Sequence, residues 1–209
     1  MSNKIVIIDY GLGNLLSVKR AVIAAGGNPI ISNNQQDVLD NDKLILPGVG
    51  AFSAGIEGLK KAKLLEPFKE AAKKGKQILG ICLGMQLLMN SSEEFGFHKG
   101  LGLIPGKVKL LKPMSSIIKI PHIGWNSLYK GKSNWKNSLL ENIEDGEMTY
   151  FVHSYAVYPD KKEDWLAQTE YGGEVFCSVV SCDNITGTQF HPEKSGDVGQ
   201  RILGRFINK

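Results

Sequence analysis

The stretch QILGICLGMQLL, residues 77–88, joins two apolar segments around a single cysteine. The apolar residues before the cysteine indicate a buried strand, and residues 86–88 are typical of the first turns of a helix. Cys82 therefore lies at a strand-to-helix junction, with Gly80 two residues before it and Gly84 two residues after it. Cys82 could be a small, buried core residue. It could instead be a nucleophile presented by a tight turn.

The chain before this stretch alternates apolar strands with helical segments. The predicted strands are residues 4–9, 29–32, 43–48 and 77–82, and the predicted helices are residues 14–25 and 51–74. Nearly continuous apolar strands separated by helices favour a parallel sheet that is covered on both faces. Ligand sites in such sheets form at the carboxyl ends of the strands, where Cys82 and the LPGVG segment at 46–50 lie.

The second half of the chain changes to strand-like segments joined by Gly, Pro and Asn. These segments are residues 102–111, 117–130, 148–159, 165–171 and 175–190. A final helix over 197–208 places Val198, Ile202 and Phe206 on one face. Because no repeat, low-complexity tract or linker interrupts the chain, we expect one α/β domain over 1–209. Its central sheet should be mixed but largely parallel, with flanking helices.

Composition favours an ordinary globular protein. The 209 residues are 42% hydrophobic and 22% charged, which suffices for one full core. No stretch approaches the roughly 18 apolar residues that a membrane span needs. The first apolar run is also too short for a signal peptide, so we expect a cytoplasmic protein without membrane contact.

Charge and cysteine content exclude further classes. The net charge of +4 does not indicate nucleic-acid binding, because the lysines of residues 59–76 alternate with Glu66 and Glu70 as on a solvated helix face. No aromatic residues are interleaved with them as a stacking platform requires. Three cysteines are too few and too unevenly spaced for a disulfide framework or a zinc site, so we expect no metal. We interpret Cys177 and Cys182 as inert packing residues on a predicted hairpin.

The Gly-x-Cys-x-Gly pattern at a strand-to-helix junction is typical of a nucleophile elbow. Its glycines remove side chains that would clash in the tight turn. The helix N-terminus favours a thiolate at Cys82 over the thiol. The elbow also aims the next backbone N–H, that of Leu83, at an oxyanion.

A thiol nucleophile needs a base, and the best-placed histidine is His191 in TQFHPEKSG, directly after a predicted strand. Glu193 follows two residues later, and in extended backbone both side chains point to the same side. Glu193 can therefore hold the ring in the tautomer that accepts a proton from Cys82. We interpret Cys82, His191 and Glu193 as catalytic residues. Alternatively, His191 is a surface histidine beside a chance glutamate.

Here the sequence resembles the class I (triad) glutamine amidotransferases, through GICLGMQLL and TQFHPEKS. IIDYGLGNLLSV, LPGVGAF, GLGLIPGKV, PHIGWN and YFVHSY resemble one subfamily, the glutaminase subunits of imidazole glycerol phosphate synthase from histidine biosynthesis. The resemblance runs from about residue 4 to the C-terminus. It implies a flavodoxin-like core and hydrolysis of glutamine to glutamate and ammonia through a cysteine thioester. It implies no metal and no organic cofactor.

The resemblance also implies roles for residues around the cysteine. The Leu83 N–H should be one oxyanion donor, and the PGVG loop should supply the second, near Val49 and Gly50. The implied substrate-binding residues are Gly48, Gln86, His153, Ser154 and Tyr155. Without the resemblance, the loop could be a plain strand-end turn, Gln86 an exposed helix residue and His153 a structural strand histidine.

A second set of residues resembles family segments that face a partner. The implied partner is a (β/α)8-barrel synthase (cyclase) subunit, which forms a heterodimer with the glutaminase and receives its ammonia. The implied interface residues are Asn14, His122, Trp125, Asn126 and Lys194. Trp125 could instead fill the core, and Lys194 could be a solvated lysine. We interpret His98 as a loop residue.

Four other functions compete with this interpretation. In α/β-hydrolase-like cysteine hydrolases the acidic residue lies between nucleophile and histidine in the chain, whereas Glu193 follows His191. DJ-1-like proteins typically place a histidine directly after the cysteine, where this chain has Leu83. A decayed binding subunit would lack part of the triad. A paralogous glutaminase subunit that supplies ammonia for amidination of a surface-polysaccharide sugar would have the same triad, so that alternative stays open.

Overall fold

The computed structural model describes residues 4–114 and 117–209. The first half of the chain alternates strands and helices, as predicted. Its strands are β1 (Lys4–Ile8), β2 (Asn28–Ser32), β3 (Lys43–Leu46) and β4 (Gln77–Ile81). Its helices are α1 (Leu15–Ala24), α2 (Gln35–Asp40), α3 (Phe52–Lys61), α4 (Leu65–Lys73) and α5 (Leu83–Leu87).

The second half consists mainly of strands and ends in a helix. The strands are β5 (Met89–Ser92), β6 (His98–Lys99), β7 (Ile104–Leu110), β8 (His122–Ser127), β9 (Tyr129–Lys130), β10 (Met148–His153), β11 (Tyr155–Pro159), β12 (Trp165–Tyr171), β13 (Glu174–Cys182) and β14 (Ile185–Thr188). The last helix is α6 (Gly196–Asn208), and short 3-10 turns span Lys162–Asp164 and Pro192–Lys194. None of the helices in the described ranges is long and apolar enough to cross a membrane.

Within the described residues, twelve strands form one mixed sheet. Its order begins β2-β1-β3-β4-β14, and all neighbours in this part are parallel. The sheet continues β13-β11-β7-β5-β6, mostly in antiparallel pairs. In addition, β12 pairs with β13, and β9 pairs with β12. Strands β8 and β10 form a separate antiparallel pair. The predicted mixed, largely parallel central sheet with flanking helices is confirmed.

The core lies on both faces of the parallel strands. Along β1, Ile5 and Ile7 point to the face covered by α1 and α6, while Val6 and Ile8 point to the face covered by α3 and α4. On α6, the predicted apolar stripe is present, and Ile202 is fully buried. Burial of each such side chain contributes roughly 2 kcal/mol, so the sheet is fixed between two apolar layers.

Several predicted boundaries are wrong. The helix predicted over 51–74 is two helices, because the chain turns at Lys63 with φ 59°. The strand predicted over 148–159 is divided at Ser154, and its two parts lie in different sheets. The strand predicted over 117–130 begins only at residue 122, and His98 lies in the short strand β6, not in a loop.

Parallel pairing brings four chain segments to one edge of the sheet. The carboxyl ends of β1, β3, β4 and β14 lie side by side. They lead into the segment before α1, the PGVG loop, Cys82 and the TQFHPE segment, respectively. The edge where ligands bind in such sheets therefore carries the residues singled out in the sequence.

Candidate active site

Cys82 connects β4 to α5 in a strained conformation. Its φ of 53° and ψ of −109° lie where side chains other than glycine are rare. Close packing explains both flanking glycines. A Cβ on Gly84 would overlap the carbonyl oxygen of Leu46, and one on Gly80 would lie 2.8 Å from the backbone nitrogen of Met85. The elbow thus depends on glycine at both positions, and such strain is found at functional sites.

His191 and Glu193 follow β14 and form a buried pair. The Nδ1–H of His191 donates to Oε1 of Glu193 over 2.7 Å, and the two side chains are only 3% and 2% exposed. The hydroxyl of Ser195 holds the turn by donating to the carbonyl of His191 and accepting from the N–H of Tyr150. This arrangement leaves Nε2 of His191 to face Cys82.

The charge state of His191 depends on both neighbours. Burial opposes a positive charge, but hydrogen bonding to Cys82 and Glu193 and their negative charges outweigh burial and raise the pKa of His191. Nε2 is buried without another hydrogen-bond partner in the described part of the chain. The geometry therefore suits a thiolate–imidazolium pair, the reactive form of a nucleophilic cysteine.

The PGVG loop lies across the elbow. A Cβ on Gly48 would crowd the Tyr10 hydroxyl and the Cβ of Leu83, so this glycine permits close contact between loop and elbow. The Tyr10 hydroxyl donates to the carbonyl of Pro47 over 2.7 Å and anchors the loop. Gly50 has φ 98°, which glycine adopts without strain. The Leu83 N–H, in the first turn of α5, lacks an intrahelical acceptor.

A cavity of about 280 Å³ lies between the loop, the elbow and β10–β11. It collects most of the predicted site residues: Val49, Gly50, Cys82, Leu83, Gln86, His153, Ser154, Tyr155 and His191. Gly48 and Glu193 lie behind this lining, against Leu83 and His191 respectively. The volume is at the low end for ligand pockets and suits a ligand of amino-acid size.

The strand that carries His153 is tied to β8 by a chain of hydrogen bonds. Nδ1 of His153 is 2.9 Å from the Tyr155 carbonyl, and Nε2 is 3.1 Å from Nδ1 of His122. Burial lowers the pKa of His153 to about 3 and that of His122 to about 4, so both rings are neutral. Because a carbonyl only accepts, His153 donates from Nδ1 and accepts from His122 at Nε2.

Comparisons with known proteins agree with this geometry. The model of the family "Glutamine amidotransferase class-I" matches residues 6–209. The chain belongs to the class I glutamine amidotransferase family.

Curated relatives are similar over nearly the whole chain. Imidazole glycerol phosphate synthase subunit HisH 1 from Legionella pneumophila (strain Lens) is 43% identical, covering 96% of this chain and 97% of the relative. Subunit HisH from Aquifex aeolicus is 44% identical, over 98% and 96%, and that from Methanosarcina acetivorans is 48% identical, over 98% of each. These identities confirm the resemblance to this subfamily.

Solved structures agree on the fold. PurLQS from Thermotoga maritima superimposes with a TM-score of 0.72 at 22% identity, covering 100% of this chain and 99% of that chain. The glutaminase domain of Trypanosoma brucei CTPS with bound acivicin gives 0.64 at 16% identity, over 99% and 94%. At such low identity the likeness concerns the class I amidotransferase fold alone.

Two polar residues at this class I site, Glu94 and Gln189, were not predicted. Glu94, after β5, lines the cavity, and its carboxylate accepts from the N–H of Phe52 over 2.6 Å. Gln189, between β14 and His191, is fully buried beside Gln86 and Cys82. The periodicity of the sequence does not mark either residue as functional. For Gln189 the usable signal was its place within TQFHPE.

The predicted partner-facing residues differ in the exposure of their side chains. The His122 side chain is 2% exposed between the rings of Phe151 and Tyr171, and its role toward a partner stays a prediction. Trp125 is 52% exposed, so it does not fill the core. Lys194 is exposed, and its ammonium lies 5.7 Å from the centre of the Tyr150 ring.

The two predicted interface asparagines have structural contacts. The side chain of Asn14 accepts from the N–H of Ser17 and caps α1. The side chain of Asn126 donates to the Glu170 carbonyl over 2.8 Å and lies 3.4 Å from His122. These contacts leave their roles toward a partner as predictions.

The remaining cysteines fit a packing role. Cys177 is fully buried, and burial raises the pKa of its thiol. Cys182, at the end of β13, is partly buried, and burial raises the pKa of its thiol as well. Both thiols are therefore poor nucleophiles near neutral pH. Within the described residues, no group of three His, Cys, Asp or Glu side chains is placed to hold a metal ion.

Proposed function

We propose that the chain is the glutaminase subunit of imidazole glycerol phosphate synthase in histidine biosynthesis. It hydrolyses glutamine to glutamate and ammonia and delivers the ammonia to a cyclase subunit. The observation that carries the chemistry is the buried His191–Glu193 pair beside a strained cysteine in an amino-acid-sized cavity. Relatives that are 43–48% identical and bear this subunit's name support the pathway.

In the first half-reaction, the Cys82 thiolate attacks the side-chain amide carbon of glutamine. A tetrahedral oxyanion forms, stabilised by the Leu83 N–H and a donor from the loop at Val49 and Gly50. The C–N bond then breaks, and His191 gives its Nε2 proton to the leaving ammonia. The products are free ammonia and a γ-glutamyl thioester on Cys82.

In the second half-reaction, water hydrolyses the thioester. His191, now neutral, takes a proton from the water as its oxygen attacks the carbonyl carbon. The C–S bond breaks, the thiolate is released and glutamate leaves. Glu193 keeps the same ring orientation in both steps, because its carboxylate accepts from Nδ1 throughout.

The cavity offers groups of the right charge for the amino-acid end of glutamine. The Glu94 carboxylate suits the α-ammonium group. The backbone of residues 153–155 suits the α-carboxylate, whereas the His153 ring is already engaged at both nitrogens. The backbone of this segment, and not the imidazole, therefore binds the substrate, with Gln86 beside it.

The face bearing Trp125, Asn126, Asn14 and Lys194 is the proposed docking surface for the (β/α)8-barrel cyclase subunit. An exposed tryptophan is a common anchor of protein interfaces. In this proposal residues 1–209 form a single domain, which acts as a heterodimer with the cyclase in the cytoplasm.

The decisive experiment measures glutamate release by the purified chain, with and without the cyclase subunit and its nucleotide ligand, beside Cys82→Ala. We expect activity that rises with the cyclase and is abolished in the variant. Cys82-dependent activity that ignores this partner would move the chain to the sugar-amidating paralogues. Activity that persists in Cys82→Ala would overturn the mechanism.

A further inference from the structure

Gln189 occupies a position that the proposed reaction does not yet use. Its side chain is fully buried, and its backbone N–H donates to the Ser178 carbonyl over 2.9 Å. The terminal amide lies between two residues of the elbow. Oε1 is 3.2 Å from Nε2 of Gln86, and Nε2 is 3.8 Å from Sγ of Cys82.

The orientation of this amide follows from its neighbours. The Tyr155 carbonyl can only accept, so the Gln86 atom 2.9 Å from it is the nitrogen Nε2. That nitrogen donates its second hydrogen to Gln189, so the Gln189 atom facing it is the oxygen. The Gln189 nitrogen is thereby turned toward Cys82. The Tyr155 carbonyl thus determines, through the side-chain amides of Gln86 and Gln189, that a nitrogen faces the sulfur.

The contacts of the Cys82 sulfur differ in whether they favour its thiolate or its thiol form. A thiolate is a much stronger hydrogen-bond acceptor than a thiol, and among the described residues the sulfur is the acceptor that Nε2 of Gln189 meets. The Val152 carbonyl, 3.9 Å from Sγ, can only accept and favours the thiol. Gln189 therefore opposes Val152 and acts together with His191.

We propose that Gln189 is a further catalytic residue, which donates from Nε2 to the Cys82 sulfur and stabilises the thiolate. Gln86 and Tyr155 are its positioning residues. The donor assists attack by keeping the sulfur ionised, and it assists thioester hydrolysis by stabilising the same sulfur as it leaves. This proposal rests on the proposed function, because the thiolate is the nucleophile of that reaction.

The test follows alkylation of Cys82 by iodoacetamide in the full-length chain. The Sγ–C bond forms and iodide leaves, so the rate reports the thiolate, and mass spectrometry of the peptide containing residue 82 gives the rate. Gln189→Met preserves length and removes the donor. On the rising part of the pH curve, below its midpoint, we expect alkylation to be about ten-fold slower, the effect of one hydrogen bond to a charged group.

The pH profile separates this role from a merely structural one. The Gln189→Met curve should shift to higher pH and reach the wild-type plateau, because every thiol is ionised there. Gln86→Met should give a smaller shift, since the Gln189 amide is then free to rotate. Gln200→Met, the same substitution on α6, should leave the curve unchanged.

An unshifted curve for Gln189→Met overturns the proposal, as does a lowered plateau without a shift. If Gln189→Met does not fold, an unshifted curve for Gln86→Met overturns it instead. The measurement uses neither glutamine nor the cyclase subunit. Failure of the glutaminase assay and failure of this proposal are therefore distinguishable.

Discussion

The two halves of the molecule, residues 4–88 and 89–209, hold their active-site groups by different means. Cys82, in the first half, is positioned by backbone geometry: a positive φ, two glycines and fully buried apolar strands. His191 and His153, in the second half, are positioned by hydrogen bonds between buried polar groups. The first half should therefore be sensitive to added atoms, and the second to the loss of single donors or charges.

The difference arises from the layers around each half. Parallel strands covered on both faces by helices leave no place for unpaired polar groups. The pair β8–β10 lies apart from the main sheet, and the imidazoles between them satisfy one another. The nucleophile is thus held by apolar packing, whereas the base and the substrate-binding segment are held by hydrogen bonds between buried polar groups.

The largest expected effect is that of Gly84→Ala, which tests the first half. The added methyl group would overlap the Leu46 carbonyl, so the free energy of unfolding should fall by about 3 kcal/mol or more. Urea unfolding gives this value. The matched control is Gly204→Ala on α6, where a Cβ meets nothing within 4 Å. The free energy of unfolding of this control should be unchanged or up to about 1 kcal/mol higher. Equal stability of Gly84→Ala and wild type would refute the steric account of the elbow.

Glu193→Gln tests the second half, because it preserves shape and removes one charge. Burial still disfavours the imidazolium, and without the carboxylate the pKa of His191 falls toward its usual value. The thiolate–imidazolium pair is then lost at lower pH, and activity should fall about 100-fold. Glutamate release measured across pH checks both effects, with Glu66→Gln on the exposed side of α4 as control. An unchanged alkaline limit would contradict this role of the charge.

Trp125→Ala extends the comparison to the surface of the second half. Because the side chain is 52% exposed, the stability of the isolated chain should change little. Affinity for the cyclase subunit should fall about ten-fold or more, as for a central aromatic anchor. Calorimetric titration measures the affinity. Ile23→Ala, at a residue 53% exposed on α1, serves as the control. Equal losses for both variants would argue against Trp125 as the anchor.

The effect of His122→Phe is confined to acid pH and concerns stability. The unfolded chain binds a proton at this histidine near its ordinary pKa, whereas burial lowers the native pKa to about 4. Between these values the native state is destabilised as pH falls, by up to about 1.4 kcal/mol per pH unit. The variant lacks this contribution, so its stability should fall less steeply. Unfolding curves at several pH values test this, with His98→Phe as control, and an equal slope would refute it.

The sequence predicted the parallel half well because each of its elements has a distinct local signal. Apolar runs, helical spacing and paired glycines all depend on neighbours a few residues away. The split of the 51–74 helix was missed, since Lys63 is an ordinary helix residue. In the structure it takes a positive φ just after α3, where the N–H groups of Lys63 and Leu64 donate to carbonyls of that helix.

The antiparallel half was harder to predict for a physical reason. The alternation within 148–159 continues through Ser154, although the chain changes sheets there. His122 resembles an exposed polar residue, and only its contacts with Phe151, Tyr171 and His153 account for its burial. The proposed role of Gln189 depends on contacts with residues more than 100 positions away. The proximity of the catalytic groups was expected from motifs, and their catalytic roles stay predictions.

The carbonyl of Tyr155 accepts from both His153 and Gln86. His153 is the last member of a hydrogen-bond chain that starts at the partly buried Asn126. Gln86 lies on the helix that follows Cys82. A chimaera that takes β8 from a relative without His122 must therefore take the 153–155 segment with it, or the buried Nε2 of His153 is left without its donor. These two distant segments therefore have to be exchanged together.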